Sequence, residues 1–340
     1  MPDPGRTIVA MANARPNRPR YAARLNAFKA AHAGAGKPTI SDMLAAAARV
    51  GGLDAADLNY PDHFADHAAG ELAALLADNG MALNGLAMRY YTDPGFAIGA
   101  FTNPDPGVRR AAIDLTRRGI DALAEMGGRL MTLWMGQDGF DYAFQGDYRA
   151  MWDGTIAAIA ELADHNRDVD IAIEYKPNEP RAFALMPDAA TTLLAIGEVG
   201  RDNLGVTLDF AHVLYADEMP AHSAHLISRH SRILGVHLND GYGKRDDGLM
   251  AGTVHPVQTL ELFVELERAG YDGVIYFDTF PDHSGLDPVA EARTNIALVE
   301  RLRVVAAGLT TNADLAAAIA RQDATASQRI VAAALYGAGR

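Results

Sequence analysis

Asp170-Ile-Ala-Ile-Glu174-Tyr-Lys176-Pro-Asn-Glu-Pro-Arg181 begins with a short apolar run, Ile171 to Ile173, that stops abruptly at charge and proline. An Ile-Ala-Ile run bounded in this way reads as a buried strand rather than a helix. Pro177 lacks the N–H that a central strand must donate, so the strand ends here. Glu174 and Lys176, two residues apart, then project to the same side of a strand end, about 6–7 Å from one another. Taken alone, a carboxylate and an ammonium at the start of a loop make an ordinary surface ion pair. The segment gains weight because three later strands end in the same manner.

Outward from this point the pattern repeats in both directions. Candidate strands are Tyr21–Phe28, Ala55–Tyr60, Met81–Met88, Leu130–Trp134, Asp170–Glu174, Leu204–Asp209, Ile233–His237 and Gly273–Asp278. Alanine-rich amphipathic helices separate them, at Met43–Val50 (with Ser41 as N-cap), Ala68–Asn79, Val108–Met126, Tyr148–Asn166, Pro187–Gly197, Ser223–Ser231 and Pro256–Ala269. Alternation of this kind implies a parallel sheet, and eight strands imply closure into a (β/α)8 TIM barrel of the α/β class. An open doubly wound sheet is the rival, but the glycine-rich turn expected after its first strand is missing. Residues 1–19 read as an extension, 20–305 as the barrel and 306–340 as a helical tail with no strand to pair with. The tail is expected to embrace a partner subunit, in a homodimer or homotetramer.

Four consecutive strands end in residues that hold metals: Glu174, Asp209 (with His212 three residues on), His237 and Asp278. In a parallel barrel these ends converge on one face, where barrel enzymes do their chemistry. Three carboxylates and an imidazole gathered there repel unless a cation lies among them, and oxygen-rich ligation favours Mn²⁺, Mg²⁺ or Co²⁺. A single Asp after a strand is usually a helix cap, and a single buried His a satisfied core residue; four such endings in succession ask for a shared cause. His255 is expected near the mouth without an evident partner.

Composition narrows the remaining classes. With 340 residues and 49% hydrophobic side chains, the chain can bury a large core. A net charge of −13 argues against a nucleic-acid-binding face. There is no cysteine, which excludes disulfides and thiolate metal sites. No run approaches the roughly 18–20 apolar residues of a membrane span, and no secretory signal is visible at the N-terminus. A cytoplasmic protein without membrane or nucleic-acid partners is expected.

The segment Glu174-Tyr-Lys-Pro-Asn-Glu-Pro-Arg181 resembles the xylose isomerase motif in which a metal-binding Glu, a substrate-binding Lys and a Glu-Pro pair follow strand five. Gly99-Ala-Phe-Thr-Asn103, Val108-Arg-Arg110 and Trp134-Met-Gly136 resemble further stretches of that superfamily, and the similarity runs from about Tyr21 to Leu302. The resemblance implies that Glu174, Asp209, His237 and Asp278 hold one divalent metal tightly; this ligand set is most similar to that of the L-rhamnose isomerases. It implies a weaker second metal on His212 with Asp246 and Asp247, although that adjacent pair departs from the family's Asp-x-Asp spacing. Lys176, His212 and Asp247 are then the catalytic candidates. Trp134 would wall the pocket, with Asn59, Tyr60 and Arg89 shaping it. Arg89 could meet a carboxylate or phosphate, or pair with a nearby Asp. Where the family carries a ring-opening His after strand two, this chain has Asn59-Tyr-Pro-Asp62, with His63 out of register. The family also leads us to expect a cis Glu179–Pro180 bond.

The implied activity is aldose–ketose isomerisation of a free sugar by a 1,2-hydride shift. A ketose 3-epimerase of the same superfamily is the alternative, but its fourth ligand is a Glu where this chain has the shorter Asp278. Zinc-dependent abasic-site endonucleases share the barrel but need more His ligands and a basic face.

Overall fold

The computed structural model describes residues 20–32 and 36–337, so the extension at residues 1–19 lies outside the described residues. Eight parallel strands form one sheet: β1 (Tyr21–Ala23), β2 (Ala55–Tyr60), β3 (Ala82–Met88), β4 (Leu130–Trp134), β5 (Asp170–Glu174), β6 (Leu204–Asp209), β7 (Ile233–Leu238) and β8 (Ile275–Phe277). Each pairs with its sequence neighbour from β2 round to β8, and β8 pairs with β1. Asp54 N–H donates to Tyr21 O at 2.9 Å across the remaining gap, nearly closing the cylinder. The strands read as near-continuous apolar runs because both their faces are covered; Ile171, Ala172 and Ile173 are each 0% exposed.

The helices around the cylinder are α1 (Ile40–Ala48), α2 (Ala69–Asp78), α3 (Pro106–Glu125), α4 (Tyr148–His165), α5 (Ala189–Val199), α6 (Pro220–His230), α7 (Pro256–Arg268) and α8 (Pro288–Thr310). Side-chain caps set their starts. Thr39 and Asp42 form a reciprocal capping box at α1, so Thr39 rather than Ser41 is its N-cap. Asp105, Asp147, Asp188 and Asp287 cap α3, α4, α5 and α8.

Two expected elements differ. The first strand stops at Ala23, and Leu25–Ala31 forms a 3-10 helix instead. Its Ala, Leu and Asn residues have little β preference, and Leu25, Asn26, Ala27 and Phe28 gain burial by turning inward. At the other end α8 runs on to Thr310, past the boundary placed at 305, before α9 (Ala313–Ala320) and α10 (Ala324–Tyr336). Leu315 and Ala318 of α9 are buried, whereas no residue of α10 is. No single helix among the described residues is long and apolar enough to cross a membrane.

The loops after β4 and β5 are joined outside the barrel by a two-stranded antiparallel ribbon, Gly139–Phe140 with Phe183–Ala184. The Phe140 and Phe183 rings stack at 5.3 Å. The loop after β7 is packed against the one after β8 at Gly248, whose φ is +58° and where an added Cβ would lie 2.3 Å from the Phe280 ring.

Candidate metal centre

Register brings the strand ends to one level. Glu174 pairs with Thr207, Asp209 with His237, and His237 with Tyr276, which precedes Asp278 by two residues. One ligand atom from each of Glu174, Asp209, His237 and Asp278 lies within 4.8 Å of all the others. Oxygen ligands at about 2.0–2.6 Å from a common centre give separations of this size, so the four fit a single divalent cation. The donor set, three carboxylates and one imidazole, suits Mg²⁺, Mn²⁺ or Co²⁺.

The electrostatics show the charge that such an ion would balance. Burial pushes the Asp209 carboxyl up to about 7, aided by Asp246, Asp278 and Glu174 against His212. Asp278 is raised likewise by burial and Glu174. Burial opposes a charged His237, yet Glu174, Asp278 and Asp209 outweigh it and raise the imidazole to about 10. Its Nδ1 lies 3.2 Å from Glu174 Oε1 and 3.9 Å from Asp278 Oδ2. Without a metal, protons carry the balancing charge.

Asn239, which sequence reasoning missed, fixes the ligands from behind. Its side-chain N–H donates to both Asp209 oxygens at 3.2 Å and to the Asp278 carbonyl at 3.1 Å, while its Oδ1 accepts from Ala211 N–H at 2.8 Å. The available signal was parity: Asn239 stands two residues after His237 and shares its face. Asp57 was also missed. It is buried, its carboxyl is raised to about 6 by burial, and the charges of His237, Glu174 and Asp278 reach it.

The second group of candidates is only partly assembled. His212 Nε2 lies 3.2 Å from Asp246 Oδ2, and Lys176 Nζ lies 3.1 Å from the same oxygen and 3.0 Å from Glu179. His212 Nδ1 meets the Tyr175 carbonyl at 3.0 Å. Burial opposes the Lys176 ammonium, but Asp246 and Glu179 raise its pKa. Asp247 does not join them: its oxygens accept from Tyr242 N–H at 2.9 Å and Arg245 Nε at 2.7 Å, which ties it into its own loop. Asp247 therefore stands apart from His212 and Asp246, with which it was expected to share a second metal and the catalytic role. Among the described residues, Glu174, Asp209, His237 and Asp278 are a group that could hold a metal ion.

On the other side of the mouth, Trp134 lines a pocket with Glu174, Lys176, Glu179 and Asp138. Lys176 Nζ lies 5.5 Å from the Trp134 ring centre, Trp134 meets Tyr91 edge-on at 5.0 Å, and the Arg89 guanidinium lies 4.3 Å over Tyr91. Asp138, 2% exposed, accepts from Ala100 N, Thr102 N and Thr102 Oγ1 and so holds the 99–103 segment against this wall. Asn59 is pinned by His63, whose Nδ1 accepts from Asn59 N–H at 3.1 Å and whose Nε2 lies 3.3 Å from Asn26 Oδ1. Burial, Lys29 and Arg89 lower the His63 pKa to about 4, so this imidazole is neutral and fully used in holding Asn59. Tyr60 does not shape the pocket. Strand alternation turns it away from Asn59 onto α3, where its ring lies 3.1 Å from a Cβ added at Gly119. Tyr60–Pro61 and Glu179–Pro180 are both cis. His255 does have a partner, the fully buried Asp240, at 2.8 Å from its Nδ1.

The family described as xylose isomerase-like TIM barrel matches residues 44–302. A xylose isomerase from Thermus thermophilus is 29% identical over 238 residues, which are 66% of this chain; the chain spans 62% of that enzyme's length. In three dimensions the chain resembles an L-ribulose 3-epimerase (TM-score 0.65, 18% identity, 87% of this chain and 99% of that one). It also resembles a D-allulose 3-epimerase from a Methylomonas species, solved with D-allulose (TM-score 0.59, 20% identity, 84% and 94%). All four strand-end ligands fall inside the matched residues, and the chain belongs to the xylose isomerase-like TIM barrel family.

Proposed function

We propose that this protein is a metal-dependent sugar isomerase that interconverts an aldose and a ketose by a 1,2-hydride shift. The observation that carries the reading is the Lys176 ammonium, buried beside the four-ligand cluster and held by Asp246 and Glu179 at 3.1 and 3.0 Å. A divalent cation on Glu174, Asp209, His237 and Asp278 would supply Lewis-acid polarisation of the substrate's oxygens. Lys176 donates a hydrogen bond to the oxygen on C1 and stabilises charge as it develops there. Asp246 accepts from His212 and Lys176, which hold its carboxyl well below the usual carboxylate range, and so fixes both donors; the proton leaving O2 passes to O1 through the His212 imidazole. Hydride then moves with its electron pair between C2 and C1, so no base has to take a carbon-bound proton. Trp134, backed edge-on by Tyr91 at 5.0 Å, covers the reacting carbons against water.

Ketose 3-epimerisation is the second reading, supported by the names of the structural neighbours. It requires a proton to leave C3 on one face and return on the other, which calls for two bases of similar reach. Opposite Glu174 this chain offers the shorter Asp278. Isotope tracing separates the two. With Mn²⁺ present, hydrogen from C2 of an aldose reappears at C1 of the ketose without exchange in deuterated water. Deuterium at C3 of recovered ketose would establish the epimerase instead.

A further inference from the structure

Arg89 is the first residue after β3, at the same end of the barrel as the metal cluster. Met88 packs outward on α3, its sulfur 3.2 Å from a Cβ added at Gly119, so alternation directs Arg89 to the mouth. There its guanidinium lies over the Tyr91 ring, 4.3 Å from its centre, continuing the wall that runs through Trp134 to Lys176. Among the described residues nothing accepts a hydrogen bond from this side chain. Asp62 forms the expected ion pair with Arg89, but at 3.9 Å from Nε it is beyond hydrogen-bonding reach, and Nε is buried without a hydrogen-bond acceptor. Its neighbour Arg24 is different, being held by Asp282 through contacts of 2.7 and 3.3 Å.

A half-buried guanidinium without an acceptor is costly, since an unmet charged donor forfeits more than a neutral one. Burial, the largest effect, lowers its pKa, and the Arg24 charge adds to this against Asp62. The charge of Asp278 also reaches Arg89 and slightly opposes this lowering. Planar, bidentate and pre-oriented by its stacking, the fork matches the geometry of a carboxylate or a phosphate.

We propose that the substrate is an anionic sugar, carrying a carboxylate or phosphate at the end remote from the reacting carbons, and that Arg89 receives that group. This rests on the sugar-isomerase reading and adds its substrate class. Lys176 and the metal ligands engage the carbonyl end, the Trp134–Tyr91 wall lies along the carbon chain, and Arg89 closes the far end.

The test uses the full-length protein loaded with Mn²⁺. Three substrates are compared by kcat/KM: a neutral aldohexose, the hexuronate with a carboxylate at C6, and the aldohexose 6-phosphate. One of the two anions should exceed the neutral sugar by about 100-fold, and which one identifies the group. Arg89→Gln should abolish that preference and Arg89→Lys should restore only part of it, with circular dichroism and Mn²⁺ content confirming the fold of both. Calorimetry supplies a readout independent of turnover: an aldonate should bind at least tenfold more tightly than the matching alditol, and Arg89→Gln should remove the difference. Turnover of neutral sugars with no anion preference would overturn the proposal while leaving the isomerase reading intact. Arg89-dependent aldonate binding without any isomerisation would sink the isomerase reading while keeping the anion site.

Discussion

Binding of a divalent metal at the strand-end cluster should expel protons, because burial and neighbouring charges raise the pKa values of two of its four groups. In the metal-free site the His237 imidazole is raised to about 10 and the Asp209 carboxyl to about 7. A ligating imidazole nitrogen carries no proton, so at pH 7 the ion displaces one held about three units above the solution pH. At about 1.4 kcal/mol per unit this weakens binding by about 4 kcal/mol, or roughly a thousandfold, relative to the deprotonated site. Asp209 adds a second proton below pH 7. The dissociation constant for Mn²⁺ should therefore fall about tenfold per pH unit between pH 7 and 8.5, and more steeply between 6 and 7. The stability of the metal-free protein runs the other way. Both groups have folded pKa values above their ordinary 6.5 and 3.8, so their contribution is complete below those values and is lost as pH rises through about 10 and about 7. The rise in Tm caused by Mn²⁺ should consequently grow with pH. Calorimetry at pH 6, 7 and 8 in buffers of different protonation enthalpy counts the released protons directly. A pH-independent affinity with no proton release would refute this account of the cluster.

Further tests bear on other residues. Lys176→Met should lower kcat by about 10²–10³ with Mn²⁺ content unchanged in mass spectrometry, the loss expected of one donor to developing charge; loss of the metal would mean that Lys176 is structural. Asn239→Ala removes the donor shared by Asp209 and Asp278, and urea denaturation should show a loss of about 2–3 kcal/mol; an unchanged midpoint would mean that the ligands are held by other contacts. Since Asp247 is tied to Tyr242 and Arg245, metal titration should find one tight Mn²⁺ per chain; a second of equal affinity would show that this loop rearranges. Full-length protein should elute as a homodimer or homotetramer in light-scattering chromatography, and deleting residues 313–340 should shift it toward monomer. A full-length monomer would count against a role for α9 and α10 in assembly.

The barrel and the cluster were both legible because one signal served for each. Short apolar runs ending in charge define strands, and Glu174, Asp209, His237 and Asp278 end them on the side where parallel strands converge. What stayed hidden depends on direction rather than residue type. Tyr60 and Asn59 are adjacent, and a bulge between Ala56 and Asp57 shifts the register that decides which of them faces inward. Asp246 and Asp247 are chemically identical, and only the hydrogen bonds of the loop separate the one beside His212 from the one bound to Arg245. His63, out of register for the family's ring-opening base, has both nitrogens engaged by Asn59 and Asn26.

The ribbon formed by Gly139–Phe140 and Phe183–Ala184 is reinforced by Arg181 to Asp141 at 3.0 Å, Ala182 N–H to Asp141 at 2.9 Å and Leu185 N–H to Asp138 O at 3.0 Å. It clamps together the loop that follows Trp134 and the loop that follows Lys176. The wall and the ammonium therefore behave as one mechanical part, and a displacement at the protein's edge is transmitted to both. Amide exchange should slow or quicken in the two loops in step, and loosening Phe183 on the outer surface should change the spacing between Trp134 and Lys176 without touching either.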